Sequence, residues 1–291
     1  MAACCLAVLL LVLSARPAAV AAARSLNLPG SVATSLASSQ VALAGLDPSA
    51  CVSYPATSGQ SDKTVFIDAG HGGLDPGVVG AVGGRQVLEK DATLAVATDL
   101  TALLRAAGYR VVMARTKDTS VTSLAASDSN TGALTDSAER RDLLTRTACA
   151  NASNASVLVS IHFDGFNDPS VGGTETFYDS ARAFAATSKR LATDLQVALV
   201  AGLATSDRGV WTDDQLAAPA LTSTGNGYGH LIELGPASAG WVDSPSAMPG
   251  ALVEPLFITN PAEAQVASDP AGQQKVAQAL EAGLQTFFGG S

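Results

Sequence analysis

The sequence is poor in charged and aromatic residues, and no cluster of basic residues occurs in it. Of its 291 residues, 15% are charged and 5% are aromatic, and the formal net charge at pH 7 is −9. Nucleic-acid-binding proteins carry a basic footprint. The acidic balance therefore argues against nucleic acid as a partner.

Long hydrophobic runs are also missing. The longest apolar run covers residues 4–13, and a membrane-spanning helix needs about 20 apolar residues. Arg16 and Pro17 end the run, and small residues at 18–23 are suitable for cleavage. We interpret residues 1–23 as a secretory signal peptide, with a disordered tail behind a misassigned start codon as the alternative. The mature chain is then secreted to the periplasm or cell wall, without stable membrane insertion.

Cysteine is scarce, with four residues in the whole chain. Cys4 and Cys5 fall within the predicted signal peptide, which leaves Cys51 and Cys149. A pair of cysteines in an oxidising compartment is usually bonded. We therefore predict a Cys51–Cys149 disulfide, and two separate buried thiols are the alternative.

The remaining chain alternates predicted strands and helices. Residues 24–62 are rich in Ala, Ser and Gly and are interpreted as a linker or N-terminal extension, and residues 63–288 as the compact domain. Periodicity predicts strands at 64–68, 109–113, 157–161, 173–178, 231–234 and 251–253, and helices at 89–106, 138–150, 180–203 and 272–288. This order indicates a single α/β domain with a mostly parallel, twisted sheet and helices on both faces.

A polar segment without periodicity, residues 116–136, interrupts this alternation. Long loops of this kind are more often functional than architectural. One hypothesis is that the segment covers the cleft as a lid or an autoinhibitory element.

Histidine is the rarest chemically versatile residue, and two of the three histidines follow short β-branched runs. His71 comes after residues 65–70, and His162 comes after residues 157–161. Both are expected at the carboxyl edge of one sheet, where open α/β folds build their sites. Because neutral imidazole is a common metal ligand, the pair suggests a metal centre.

A zinc centre of this type needs a carboxylate as its third ligand. Glu89, at the start of the helix after the His71 loop, is the natural candidate, although a carboxylate there also complements the helix dipole. Asp68, Asp75 and Asp91 are the local competitors. Two histidines and one glutamate would leave a fourth zinc position open.

Several motifs in a fixed order resemble one family. They read IDAGHGGLDPG at residues 67–77, EKD at 89–91, RTKD at 115–118, SIH at 160–162, RGV at 208–210 and LVE at 252–254, with TNPAEA at 259–264. Together they resemble the zinc-dependent N-acetylmuramoyl-L-alanine amidases of bacterial cell walls, over about residues 63–288.

The resemblance implies a site and an activity. His71, Glu89 and His162 would bind zinc, and a late glutamate would activate the attacking water. Two residues compete for that role, because Glu233 lies in an ELG motif, whereas Glu254 precedes Asn-Pro by the family's spacing of six residues; we favour Glu254. The substrate would be the amide bond between muramic acid and L-alanine of peptidoglycan or muropeptides, cleaved by a monomeric enzyme.

Some residues depart from the family pattern. Asp164 stands where the family has other residues near the second histidine, and the segment after Glu254 lacks the usual glycine. His230 has no family counterpart, and we interpret it as a loop or packing residue. A non-catalytic peptidoglycan-binding or regulatory protein and a zinc carboxypeptidase-type amide hydrolase remain the alternative functions.

Overall fold

The computed structural model describes residues 37–215 and 227–290. The predicted signal peptide, residues 1–23, lies outside the described residues. The helices are α1 (Glu89–Ala106), α2 (Asp136–Ala152), α3 (Ala185–Leu203), α4 (Pro261–Ser268) and α5 (Pro270–Gly289). The strands are β1 (Ser39–Gln40), β2 (Ala50–Tyr54), β3 (Thr64–Ala69), β4 (Val79–Val82), β5 (Arg85–Leu88), β6 (Arg110–Arg115), β7 (Ser129–Asn130), β8 (Ala133–Leu134), β9 (Val157–Ile161), β10 (Thr174–Tyr178), β11 (Asp207–Thr212) and β12 (Gly250–Glu254).

Eight of these strands form one mixed sheet in the order β1-β2-β6-β3-β9-β12-β10-β11. The central strands β6, β3, β9 and β12 are mutually parallel. Strands β2 and β10 run antiparallel to this block, and β11 runs parallel to β10. The predicted α/β class with a largely parallel sheet is confirmed.

Both faces of the sheet are covered, which explains the uninterrupted apolar character of the central strands. Alternate side chains point to opposite faces, so Val157, Val159 and Ile161 pack with α1, α3 and α5. Leu158 joins a second cluster on the other face, beside Cys149 of α2. Each central strand thus contributes to two cores.

Residues 39–54 differ from the linker or loosely packed extension predicted for residues 24–62. Strand β2 pairs with β6, and β1 pairs with β2. A disulfide joins Cys51 to Cys149, with their Cα atoms 5.8 Å apart. The linker interpretation is therefore wrong for residues 39–54, because backbone pairing and the disulfide attach them to the folded domain.

The predicted strand at residues 231–234 is also wrong. This segment forms a turn in which the Leu234 and Gly235 amides donate to the Leu231 carbonyl. Ile232 is buried with Tyr228 and Val242 instead of lying in a strand. The apolar run therefore reflects burial by side-chain packing, which periodicity alone does not distinguish from strand pairing.

The segment 116–136 contains the β7–β8 hairpin. Its first part is anchored to α2, because Asp142 accepts hydrogen bonds from the Val121 and Thr122 amides at 2.7 and 2.8 Å. The lid hypothesis for this segment stays a prediction.

Candidate metal centre

Three side chains that are distant in the sequence meet at the carboxyl edge of the sheet. His71 lies in the loop after β3, His162 directly follows β9, and Glu89 is the first residue of α1. His71 Nε2 lies 3.0 Å from Glu89 Oε2, and His162 Nδ1 lies 3.0 Å from Glu89 Oε1. The two ring nitrogens are 3.1 Å apart.

This donor set fits a zinc ion. Two imidazole nitrogens and one carboxylate form a known type of open zinc site. Ligand atoms about 2.0–2.1 Å from a tetrahedral zinc lie about 3.3 Å from one another, and the separations of 3.0–3.1 Å are close to that value. Among the described residues, this group satisfies the spacing for metal ligands.

Glycine at two positions makes room for the group. A Cβ atom on Gly70 would lie 2.4 Å from His162 Cε1, and one on Gly77 would lie 2.5 Å from Glu89 Oε2. His71 itself adopts φ +62, a left-handed conformation that is uncommon outside glycine. Such backbone strain persists where the surrounding structure enforces it.

Two buried arginines hold the His71 loop in that conformation. Arg146 donates to the carbonyls of Ala69 and His71 at 2.9 and 2.7 Å and pairs with Asp68 at 2.7 Å. Arg115 donates to the carbonyls of Ala69 and Gly70. Neither arginine has a role that was predicted from sequence; a positive charge at the buried end of β6 is the signal that marks Arg115.

The mutual attraction of Glu89 and His71 favours the charged form of both side chains. Burial lowers the pKa of His71, but the Glu89 and Asp75 carboxylates together outweigh burial and raise this pKa to about 10. Burial raises the pKa of Glu89, yet the neighbouring His71 and His162 hold it well below the usual range. Glu89 is therefore a carboxylate, and a histidine binds a metal ion only in its neutral form.

The three aspartates that compete with Glu89 occupy other positions. Asp75 Oδ2 lies 2.7 Å from His71 Nδ1 and so orients the imidazole from behind. Asp68 is buried against Arg146 and Ser160. Asp91 is exposed on the first turn of α1. Only Glu89 lies between both histidines.

The two late glutamates approach the site differently. Glu254 ends β12, whose Val253 pairs with Ile161, so Glu254 and His162 extend from neighbouring strand ends. Its Oε2 is buried without a hydrogen-bond partner, and burial, followed by the Glu89 charge, raises its pKa well above the usual value. Glu233 lies further from the strand ends, beside Ser160 within β9, and accepts a hydrogen bond from Ser160 Oγ at 3.1 Å.

A cavity of about 160 Å³ opens beside the two histidines. Its walls combine apolar side chains from α2 and the 231–234 turn with the polar residues Glu139, Arg146 and Glu233. Glu254 is not among the lining residues. Burial raises the pKa of Glu139 to about 6, and the nearby Asp75 carboxylate contributes. The cavity can thus hold a partly apolar group next to His71 and His162.

The two residues that depart from the family pattern, Asp164 and His230, have different surroundings. Burial raises the pKa of Asp164 to about 7, and Glu175, which pairs with Arg208 at 2.9 Å, contributes. His230 belongs to a separate cluster with Asp179 and Asp213.

Comparisons with known proteins show which family this chain resembles. The family model described as N-acetylmuramoyl-L-alanine amidase matches residues 65–286. The uncharacterized protein YqiI of Bacillus subtilis (strain 168) is 33% identical over 226 residues, covering 78% of this chain and 85% of that protein. The N-acetylmuramoyl-L-alanine amidase AmiA of Salmonella typhimurium is 30% identical over 246 residues, covering 78% and 77%.

A solved structure has a similar fold. The CwlD amidase from Clostridioides difficile, determined in complex with the GerS lipoprotein, superimposes with a TM-score of 0.61 at 26% identity. The similarity covers 79% of this chain and 100% of that one.

Proposed function

Because the chain belongs to the N-acetylmuramoyl-L-alanine amidase family, we propose that it hydrolyses the amide bond between N-acetylmuramic acid and L-alanine of peptidoglycan stem peptides. His71, Glu89 and His162 are the zinc ligands in this proposal. The convergence of these three side chains, with ligand atoms 3.0–3.1 Å apart, is the observation that carries it.

When bound, zinc supplies Lewis-acid chemistry that polarises the scissile carbonyl and activates water. His71 and His162 must be neutral to hold it, and Asp75 keeps the His71 ring oriented by its contact at Nδ1. The partly apolar cavity beside the histidines excludes bulk water from one side of the substrate.

Glu254 is the proposed general base. It takes a proton from the attacking water and returns it to the departing amine, so the C–N bond breaks as a carboxylate forms. A raised pKa suits both transfers, since the ideal catalytic pKa lies near the working pH. Glu233 suits this role less well, because it shares a buried network with Asp68 and Ser160.

The Glu254→Gln variant tests the assignment. We expect it to retain zinc and the native fold but to lose about 10²–10⁴-fold in turnover, the usual contribution of a general base. Glu233→Gln is the matched control, because it makes the same substitution at the competing glutamate. Full activity in Glu254→Gln together with loss in Glu233→Gln would move the role to Glu233.

Mass analysis of muropeptides identifies the bond that is cleaved. The amidase proposal expects release of intact stem peptides, abolition by a chelator and restoration by added zinc. Release of a terminal amino acid would indicate a carboxypeptidase. Muropeptides left unchanged by the zinc-loaded protein would favour a non-catalytic peptidoglycan-binding role.

Export to the periplasm or cell wall is part of the proposal. The disulfide between Cys51 and Cys149 supports it, because such bonds persist in oxidising compartments. Among the helices that the structure describes, none combines the length and apolar character needed for a membrane span. Fractionation of cells, with N-terminal sequencing of the exported chain, would test both export and cleavage near residue 23.

A further inference from the structure

A second group of potential metal ligands lies at the opposite edge of the sheet. Strands β10 and β11 are parallel, with Tyr178 opposite Thr212, so the next residues, Asp179 and Asp213, lie side by side. His230 joins them, and one ligand atom from each of the three lies within 4.8 Å of the others. Because β10 runs antiparallel to β12, this edge is about 13 Å along the strand from Glu254.

The outer oxygens of both carboxylates are positioned by the backbone. Asp179 Oδ1 accepts a hydrogen bond from the Ala181 amide at 2.7 Å, and Asp213 Oδ2 accepts one from the Leu231 amide at 2.9 Å. The remaining oxygens, Asp179 Oδ2 and Asp213 Oδ1, face His230 Nδ1 at 2.8 and 3.4 Å. One nitrogen and two oxygens therefore converge on one point.

His230 lies within ion-pair distance of both carboxylates, but the hydrogen bonding at this point is incomplete. Asp179 is 2% exposed, and its Oδ2 atom is buried without a hydrogen-bond partner. The Nδ1 atom of His230 makes a hydrogen bond only with Asp213, and the length of that bond, 3.4 Å, exceeds the usual range. A buried carboxylate oxygen without a hydrogen bond is costly, and a cation between the three ligand atoms would remove that cost.

Neighbouring side chains compensate only partly for the missing hydrogen bond at Asp179 Oδ2. Arg182 contributes a positive charge near Asp179, but its guanidinium is bonded to the carbonyls of Leu234 and Gly235 and to Ser246. The Tyr228 hydroxyl donates to the Pro236 carbonyl. Neither side chain donates a hydrogen bond to Asp179 Oδ2.

We propose that Asp179, Asp213 and His230 form a second zinc-binding site, separate from the catalytic edge. The mixture of imidazole and carboxylate suits zinc, whereas Ca²⁺ and Mg²⁺ prefer oxygen ligands alone. The site joins the ends of β10 and β11 to the turn that carries Glu233 and lines the active-site cavity. Its role is structural, since it lies away from His71 and His162.

Zinc stoichiometry tests the proposal. The full chain is stripped with a chelator, reloaded with Zn²⁺, desalted and analysed by elemental mass spectrometry. We expect two zinc ions per wild-type chain and one in Asp213→Asn. Asp214→Asn is the matched control, because Asp214 is exposed next to Asp213, and it should keep both ions.

The His162→Ala variant separates this inference from the proposed function. It should retain one zinc ion, and adding Asp213→Asn should remove that ion. If Asp213→Asn fails to fold, the zinc content of His162→Ala alone still decides whether the second site exists. A wild-type chain with one zinc, lost in His162→Ala, would overturn the second site and leave an ion-paired Asp–His–Asp cluster. One zinc that only Asp213→Asn removes would instead count against the catalytic zinc and support this site.

Discussion

Gly70 sets the space available to the His162 ring, and replacing it with alanine tests the metal centre directly. A Cβ atom at this position would lie 2.4 Å from Cε1 and 2.5 Å from Nε2 of His162. Carbon atoms in contact are separated by about 3.5–4.0 Å. The ring must therefore move by about 1 Å, whereas metal sites tolerate deviations of about 0.2 Å.

We expect Gly70→Ala to fold, because the backbone there is not in the left-handed region. Zinc affinity should fall by at least about tenfold, and turnover by about 100-fold for a displacement of this size. Competition against a chelating dye measures the first quantity, and release of stem peptides from muropeptides measures the second.

Gly289→Ala is the control for this variant, since its Cβ atom would meet no other atom within 4 Å. It should leave zinc binding and turnover unchanged. Wild-type affinity and rate in Gly70→Ala would refute the reasoning, because His162 would then tolerate a displacement that no zinc ligand accommodates.

Three further predictions concern stability. Arg146→Ala should lower the free energy of unfolding by about 3–5 kcal/mol, because it leaves Asp68 buried without its charge partner; a urea-denaturation midpoint equal to wild type would contradict this. Burial opposes ionisation of Asp68, but Arg146 holds its pKa below the usual value of about 4. The carboxylate therefore contributes stability above that value and loses it as the pH falls through the lower folded pKa, so acid denaturation followed by circular dichroism should be shallower in Asp68→Asn. Replacing both Cys51 and Cys149 by serine should cost about 2–5 kcal/mol, and calorimetry showing an unchanged melting temperature would argue against a stabilising bond.

Much of the fold follows from local pattern. The boundaries of α1 and β9 agree with the periodicity because each element has a continuous apolar stripe or run and a clear stop signal. Helix α4 and the β4–β5 hairpin were not predicted. Helix α4 has few buried residues and depends on its cap, where Asn260 accepts hydrogen bonds from the Ala262 and Glu263 amides.

The incorrect strand prediction at residues 231–234 has a related cause, because local pattern does not reveal how a segment is buried. Three apolar residues in four indicate burial, but burial is available in a turn as well as in a strand. Strand β2 was not predicted, because its sequence has no signal that distinguishes it from the surrounding chain. It pairs at the antiparallel side of the sheet, and its composition resembles that of the surrounding Ala/Ser-rich chain.

The residues that could form the candidate metal centre can be recognised from sequence, because strand-ending histidines and a helix-starting glutamate are local features. Their convergence to within 3.1 Å, the arginines that hold the His71 loop and the depth of Glu233 required the tertiary structure. So did the second cluster. Asp179, Asp213 and His230 share no motif or spacing, and they meet only because β10 and β11 are parallel and the 227–235 segment turns back over their ends.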